Sequence, residues 1–526
     1  MGNALTAVGG DIGSIGLNPA GSSVAGYTQF TITPSLSISA TRAQGYDAGG
    51  LEPIGFGDRV STGFTRGKLP NIGFTVNMET GRRHGLKRMS FGFVSNSTND
   101  FTYRTKAAGI FYGTHSFSGS LASLAQGYAK EALAARTTDD WFVDGPDWGA
   151  MAGFMSGIFD NIGGTDYLAV TDLMVGGYPE AAGQLYQNYG YQTRGYKHDM
   201  VLNMSANFDD RFYIGANLGI TAMSYWESEY WEEMPEDPST FPKIQYDGGE
   251  TLATLNSVLA KKASGASGTG VYFKAGFLWR PVAGLRLGAA IQTPTMVNMV
   301  GRCSWYGEAN LKGISFSPSS SPEDEWIYAL RMPFRWNAGL AYSFGSFAVV
   351  SVDYEMADYS QAKYRGREEF GYSAGSWNDQ NAEIKGALGL GHNVRVGMEF
   401  KPVESLAIRV GYNFLSGSQK NWPEWDNEGL NLVPLTDKER AAQATQLVSF
   451  GAGYSAGHFF TDFAVRLRFM PQSYFTPYHH YESGADVYDK FAADYIDKGG
   501  TIQKIVPEVL VSATGIETVL TLGWRF

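Results

Sequence analysis

The sequence predicts an all-β transmembrane barrel of fourteen antiparallel strands, with short helices in its outer loops. Three observations carry the prediction. Apolar residues alternate with small or polar ones in segment after segment. The connections between these segments alternate between short and long. The chain closes on an aromatic strand, "IETVLTLGWRF".

That last segment shows the pattern most plainly. Ile516, Thr518, Leu520, Leu522, Trp524 and Phe526 share one face, while Glu517, Val519, Thr521, Gly523 and Arg525 share the other. The same period of two sets Phe212, Ile214, Leu218 and Ile220 against Tyr213, Gly215, Asn217 and Gly219. It recurs after Leu285, Leu406 and Phe463. In the last of these strands, Arg466 and Arg468 share a face. Two arginines are costly in a dry core and comfortable over a wet lumen. Alternation alone does not separate a soluble sandwich from a barrel with its apolar side turned outward.

Connection lengths separate them. Strands are expected near 28–42, 68–79, 87–98, 191–208, 211–229, 268–281, 284–299, 327–344, 347–358, 381–401, 404–415, 444–456, 458–471 and 508–526. The even-numbered connections are mostly tight, such as "DD" at 209–210, "GS" at 345–346 and "AGH" at 456–458. The odd-numbered ones are long, the longest running from about 99 to 190. Short periplasmic turns and long extracellular loops mark an outer-membrane barrel, and a sandwich has no reason to sort its loops this way.

Composition agrees. The chain has 66 glycines, 30 tyrosines, 32 phenylalanines and 12 tryptophans, which favours strands and close backbone approach. A net charge of −11 argues against a nucleic-acid partner. Cys303 is the only cysteine, so no internal disulfide can form. No window is apolar for long enough to predict a transmembrane helix. The start, "MGNALTAVGG", lacks the basic and apolar regions of a signal peptide. A barrel is then expected as the processed form, its leader removed, in the outer membrane of a Gram-negative cell.

The long third connection carries helical character. Leu121, Leu124, Tyr128, Ala132 and Ala135 fall near one face of 120–136, and 149–162 and 171–189 read as further short helices. Asp139, Asp147 and Asp166 stand where helix caps are useful. Two readings of the apolar residues stay open. They pack over the barrel mouth, or Met151, Phe154, Met155, Ile158 and Phe159 form a landing site for a greasy ligand, since methionine-rich surfaces adapt to varied partners.

Catalytic and metal motifs are weak. "GYSAG" occurs at 371–375 and 453–457, but neither Ser373 nor Ser455 has the strand–turn–helix setting of a nucleophile elbow. Adjacent His479 and His480 point apart on a strand and make no metal site by themselves. The acidic-aromatic stretches 225–238 and 422–429 read as solvated loops at the membrane interface, with a divalent-cation site as the alternative. The expectation is therefore a non-enzyme with no cofactor and no metal.

The opening run "ALTAVGGDIGSIGLNPAG", followed at once by the first strand, resembles the FadL/TodX family of outer-membrane transport proteins. "FGFVSNSTNDF" (91–101), "RFYIGANLGIT" (211–221), "LRLGAAIQTPT" (285–295), "VSVDYEMADYS" (350–360), "LAIRVGYNF" (406–414) and the final "LGWRF" resemble its Bacteroidetes branch. The resemblance implies a fourteen-stranded barrel over 28–526 with an N-terminal hatch, residues 1–27, in its lumen. Asn18, Pro19, Ala20 and Gly21 belong to that hatch. It also implies diffusion-type uptake of hydrophobic compounds such as long-chain fatty acids. The ligand leaves sideways through a gap made by an inward strand kink, for which Gly92 and Pro294 are candidates. The implied partners are outer-membrane lipid and lipopolysaccharide, a hydrophobic small molecule, and the barrel-assembly machinery, which reads a C-terminal signal in Trp524 and Phe526. The alternative is a non-transporting barrel that serves as a subunit or scaffold among other outer-membrane proteins.

Overall fold

Fourteen strands close into one antiparallel barrel. The computed structural model describes the chain apart from residues 47–53, 143–144, 176–177, 247–250, 367–376, 427–428, 479, 482–490, 493, 497–501 and 505. The first seven strands are β1 (Gln29–Tyr46), β2 (Val60–Glu79), β3 (Leu86–Asp100, resumed over Tyr103–Phe111), β4 (Leu185–Phe208), β5 (Phe212–Pro235), β6 (Thr251–Trp279) and β7 (Leu285–Gln292, resumed over Met296–Lys312). The rest are β8 (Asp324–Arg331, resumed over Arg335–Phe344), β9 (Ala348–Asp358), β10 (Leu390–Val403), β11 (Leu406–Leu415), β12 (Thr445–Ala456), β13 (Phe459–Phe469) and β14 (Glu508–Arg525). β14 pairs with β1 and closes the ring.

The alternation sorts the faces as the sequence requires. On β1, Phe30, Leu36 and Ile38 point outward and are exposed, whereas Gln29, Thr31, Thr33 and Ser35 point inward and are buried. Phe74, Val76 and Met78 continue the outer band on β2, and Phe212, Ile214, Leu218 and Ile220 on β5. A contiguous band of large apolar side chains on the outside is a lipid-facing surface. Among the described residues, no helix is long and apolar enough to cross a membrane.

Several strands run far beyond that band. β4 and β5 have 24 residues each. About 9–11 residues cross a bilayer, so the wall stands well past it at the end that carries the long connections. Several expected boundaries move for this reason. β2 begins at Val60 rather than 68, and β6 at Thr251 rather than 268. The stretch 225–235, expected as loop, is strand: β5 continues through it.

The third connection packs as a cap on this tall wall. It contains α1 (Phe117–Ser123), α2 (Lys130–Leu133) and α3 (Trp148–Met155). Asp147 caps α3 by accepting from the Gly149 N–H at 2.7 Å. Gly157 follows at φ +76°, where its missing Cβ also leaves room for the Phe316 ring. Asp139 instead opens a 3-10 turn, Asp139–Phe142, and Asp166 opens a strand, Asp166–Ala169. The expected helix over 171–189 is absent. Those residues form a hairpin, Asp172–Val175 with Tyr178–Ala181, and then enter β4. Pro179 lacks the N–H a helix interior needs, and tertiary pairing decides the rest. The reverse occurs before β10, where 381–387, expected as strand, belongs to α4 (Asn378–Ala387).

The N-terminal segment lies inside the barrel, in the half nearer the short turns. It forms two 3-10 turns, Ile12–Gly16 and Pro19–Val24. Glycines on the wall let it approach. A Cβ on Gly215 would lie 2.4 Å from the Pro19 carbonyl carbon, and one on Gly276 would lie 2.3 Å from Asn18 Oδ1. Replacing Gly215 by Val should therefore push the segment off the wall at a cost of about 1–3 kcal/mol while the barrel still assembles. Heat-modifiable gel mobility together with hydrogen exchange over residues 10–25 checks this, with faster exchange expected at unchanged barrel mobility.

Candidate functional site: a plugged lumen with an opening in its wall

The short N-terminal turn is held by one side chain that works in three directions. Asn18 Oδ1 accepts from the Ala20 N–H at 3.1 Å, and Pro19 takes the first position of the 3-10 turn, where no N–H is required. Asn18 Nδ2 donates to the Thr6 carbonyl at 2.8 Å and to the Phe277 carbonyl of β6 at 2.9 Å. Ala20 and Gly21 follow, both buried, and the Gly21 carbonyl accepts from the Gly10 N–H at 2.8 Å.

The wall supplies the donors that the segment lacks. Asn203 of β4 donates to the Pro19 carbonyl at 3.0 Å, and Asn217 of β5 to Ile15 at 2.8 Å. Lys274 of β6 donates to Gly16 at 2.7 Å, and Asn337 of β8 to Leu17 at 3.3 Å. Arg286 reaches Val8, Gln29 reaches Gly10, and Arg88 reaches both Ser23 and Ala25. Asp353 of β9 accepts in return from the Thr6 N–H at 2.8 Å. Of these luminal residues, Asn217 stood on the small or polar face in the sequence pattern. Nothing in the period-2 pattern identified their partners.

The second feature lies between β2 and β3. Their ladder runs from Glu79–Arg88 up to Asn71–Asn96 and stops. Beyond that point β2 pairs with β1, and β3 pairs with β4. The next backbone contact is an isolated bridge between Asp58, just before β2, and Ala108. Two local causes combine. Pro70 of β2 has no N–H to give and sits where the register against β1 shifts. Phe101 and Thr102 interrupt β3 opposite Gly195, which holds φ +138°. The outer half of β3 then leans inward until the Arg104 carbonyl accepts from Thr41 Oγ1 of β1 at 2.7 Å.

The kink is therefore at neither expected position. Gly92 pairs with Thr75 in an unbroken part of the ladder. Pro294 interrupts β7, but β6 and β8 pair with β7 on both sides of it. The polar run "NSTNDFT" (96–102) carried the missed signal, since Asn, Ser, Thr and Asp compete with ladders for backbone groups.

The five apolar loop residues lie in the cap. Met151, Ile158 and Phe159 are buried, and Phe154 and Met155 are half-buried at the edge of the same cluster. Phe117 stacks on Trp231 at 4.8 Å, and Trp231 on Trp305 at 5.8 Å, joining cap to wall. Beneath this cluster Asp172 is fully buried. Its Oδ1 accepts from Ser116 at 3.1 Å and from Thr171 at 2.9 Å. Burial, and secondarily the nearby Glu233 carboxylate, push its pKa up to about 7.

At the other end, Trp524 and Phe526 face outward, and the Phe526 N–H donates to the Thr28 carbonyl at 2.8 Å. Ser455 lies within β12, where its Oγ accepts from Arg525, and β13 follows across a tight turn, so no elbow forms. Ser373 and His479 lie outside the described residues. Carboxylates in 225–235 accept hydrogen bonds from neighbouring groups: Glu227 from Tyr225 at 2.8 Å and Ser264 at 2.7 Å, Glu232 from Asn188 at 3.0 Å, and Glu233 from the Phe117 N–H at 2.8 Å and Gln187 at 2.7 Å. Among the described residues no cluster could hold a metal ion.

These features define a membrane-spanning barrel with its N-terminal segment hydrogen-bonded inside the lumen and an interrupted wall. The chain shares this fold with a Pseudomonas aeruginosa FadL homologue, at TM-score 0.50 and 12% identity, over 100% of this chain and 96% of the other. The Pseudomonas putida toluene transporter TodX aligns at TM-score 0.45 and 11% identity, over 99% of this chain and 95% of the other. No protein-family model matches the sequence, and no curated protein does.

Asp172 makes the cap sensitive to pH. Folding raises its pKa, so the folded cap prefers the protonated acid. Stability is then greatest below the unfolded value near 4 and falls as pH rises towards 7. Limited proteolysis of 112–184 should speed up between pH 4 and pH 7, and Asp172→Asn should flatten that profile.

Proposed function

We propose that this chain carries hydrophobic compounds across the outer membrane by diffusion, through the plugged barrel and out sideways between β2 and β3. The observation that carries the reading is the broken ladder above the plug. A polar-lined lumen closed by the N-terminal segment offers a greasy molecule no favourable way down. The opening offers lipid instead, because Leu69 at its lower rim is exposed among the outward-facing side chains. Phe154 and Met155, at the edge of the cap cluster, are the members of the apolar set best placed to meet an incoming molecule. Fatty acids are one compound class with the required tail. Trp524 and Phe526 serve as the signal read by the barrel-assembly machinery.

The packed cap favours a second reading. The aromatic cluster of Phe117, Trp231 and Trp305 covers the mouth with interior-like packing, as a scaffold subunit would. Uptake of a hydrophobic substrate by a deletion strain separates the two. An unchanged rate, with loss of a partner complex, would leave the scaffold reading standing.

The turn at Asn18 gives a sharper test of transport. Asn18→Ala/Pro19→Ala removes three hydrogen bonds, each worth about 1 kcal/mol net, and frees the backbone before Ala20. The expected outcome is altered passage, as leak of small solutes or impaired uptake, in a barrel that assembles normally. Solute-swelling of proteoliposomes measures the leak.

A further inference from the structure

We propose that the opening between β2 and β3 is closed by a side-chain latch, with Arg66 and Lys68 of β2 held on Asp100 and Thr102 of β3, and that release of this latch lets a molecule into the membrane. The proposal rests on the sideways-exit reading above. Among the described residues, no backbone ladder joins 60–70 to 97–107. Side chains must therefore make the seal.

Register puts the cations in place. Arg66 pairs with Ser37 of β1 and Lys68 with Ser35, and both serines face the lumen. Arg66 reaches Asp100 at 3.2 Å and also bonds Thr102 Oγ1, while Lys68 pairs with the other carboxylate oxygen of Asp100. The two ends of the latch differ in freedom. Asp100 Oδ1 also accepts from the Thr102 N–H at 3.0 Å, which anchors the carboxylate in the turn of the kink. The cations sit on long, flexible stems.

A second seat lies within reach of one of them. Lys68 Nζ is 4.0 Å from Glu517 Oε1 of β14, the strand on the other side of β1. Glu517 also pairs with Arg466 at 3.2 Å. Lys68 can therefore leave Asp100 without becoming an uncompensated charge. A cavity of about 160 Å³ on the luminal side and one of about 380 Å³ at the opening share Phe64 and Thr102 in their walls. The latch lies where the two meet. Arg66 keeps 39% of its side-chain surface exposed, so water screens this seal, and it yields to a rotamer change rather than to a break in the wall.

The test uses the full chain in the outer membrane of a Gram-negative host, with uptake of the uncharged fluorescent probe N-phenyl-1-naphthylamine as the readout. Arg66→Ser/Lys68→Ser should speed entry about five- to thirtyfold, the factor that one or two weak ion pairs can hold back. Arg66→Lys/Lys68→Arg keeps the charges and should stay near the wild-type rate. Raising the salt concentration should speed the wild type and leave the serine variant unchanged. A folded serine variant at the wild-type rate, where the wild type exceeds empty-vector cells, overturns the latch and leaves transport standing. Should neither protein exceed the empty vector, both readings fall. If the serine variant does not assemble, the salt arm decides, and a wild-type rate indifferent to salt overturns the latch.

Discussion

A backbone carbonyl buried without a donor is costly, and the N-terminal segment carries a run of them. Its sequence, "GGDIGSIGLNPAG", offers almost no side chains with which to satisfy them. The wall does so instead. Asn203, Asn217, Lys274 and Asn337 are buried on the luminal face of β4, β5, β6 and β8, and each donates to a carbonyl between Ile15 and Pro19. Most other features of the lower barrel follow from this arrangement. The donors must face inward, so their strand neighbours face lipid and must be apolar. The segment must come within hydrogen-bonding distance, so positions such as Gly215 and Gly276 have no room for a Cβ. The glycine content that marks the chain as strand-rich is partly a record of this close approach.

The same arrangement separates a firm half of the lumen from a looser one. Around Asn18 the wall donors come from four strands, and no single bond holds the segment. Higher up, register sets Arg66, Ser37, Glu517 and Arg466 in one luminal row, and the charges there pair directly, Arg466 with Glu517 and Arg66 with Asp100, each at 3.2 Å. Such pairs are individually weak. The wall is thus hydrogen-bonded to the N-terminal segment below and held by partly exposed ion pairs above, where the ladder is already broken.

Much of this was legible in the sequence, and the limits have physical causes. Strand faces followed from a period of two, which every residue of a strand obeys, so Arg466 and Arg468 could be assigned to the lumen from one segment. The barrel followed from loop lengths, which are a global property. Boundaries were less legible at the outer end. There β5 leaves the lipid, and Glu227 to Pro235 no longer need to alternate apolar with polar, so strand reads as loop. The helix expected over 171–189 failed for a related reason: its apolar residues serve a cap core in which spacing along the chain does not decide which face is buried. Asn18 and Pro19 were legible as a turn because their chemistry is local. The donors to the carbonyls of Pro19 and of Leu17 just before it, Asn203 and Asn337, lie 184 and 320 positions away, and no local pattern encodes a contact of that kind.

The broken ladder is the hardest feature to read and follows from the others. A single proline is tolerated in a barrel wall, as Pro294 shows, because the flanking strands shift together and keep their bonds. Pro70 has no such help. Its neighbour β3 turns inward at Phe101, drawn by the Arg104 carbonyl onto Thr41 and by long pairing with the tall strand β4. The outer half of β3 thus gains a partner on one side and loses one on the other. Strands β4 and β5 are tall because the cap needs a wall to pack on, and β3 follows β4 upward. The cap and the opening are in this sense one construction: the pairing that carries β3 up to the cap also pulls it away from β2.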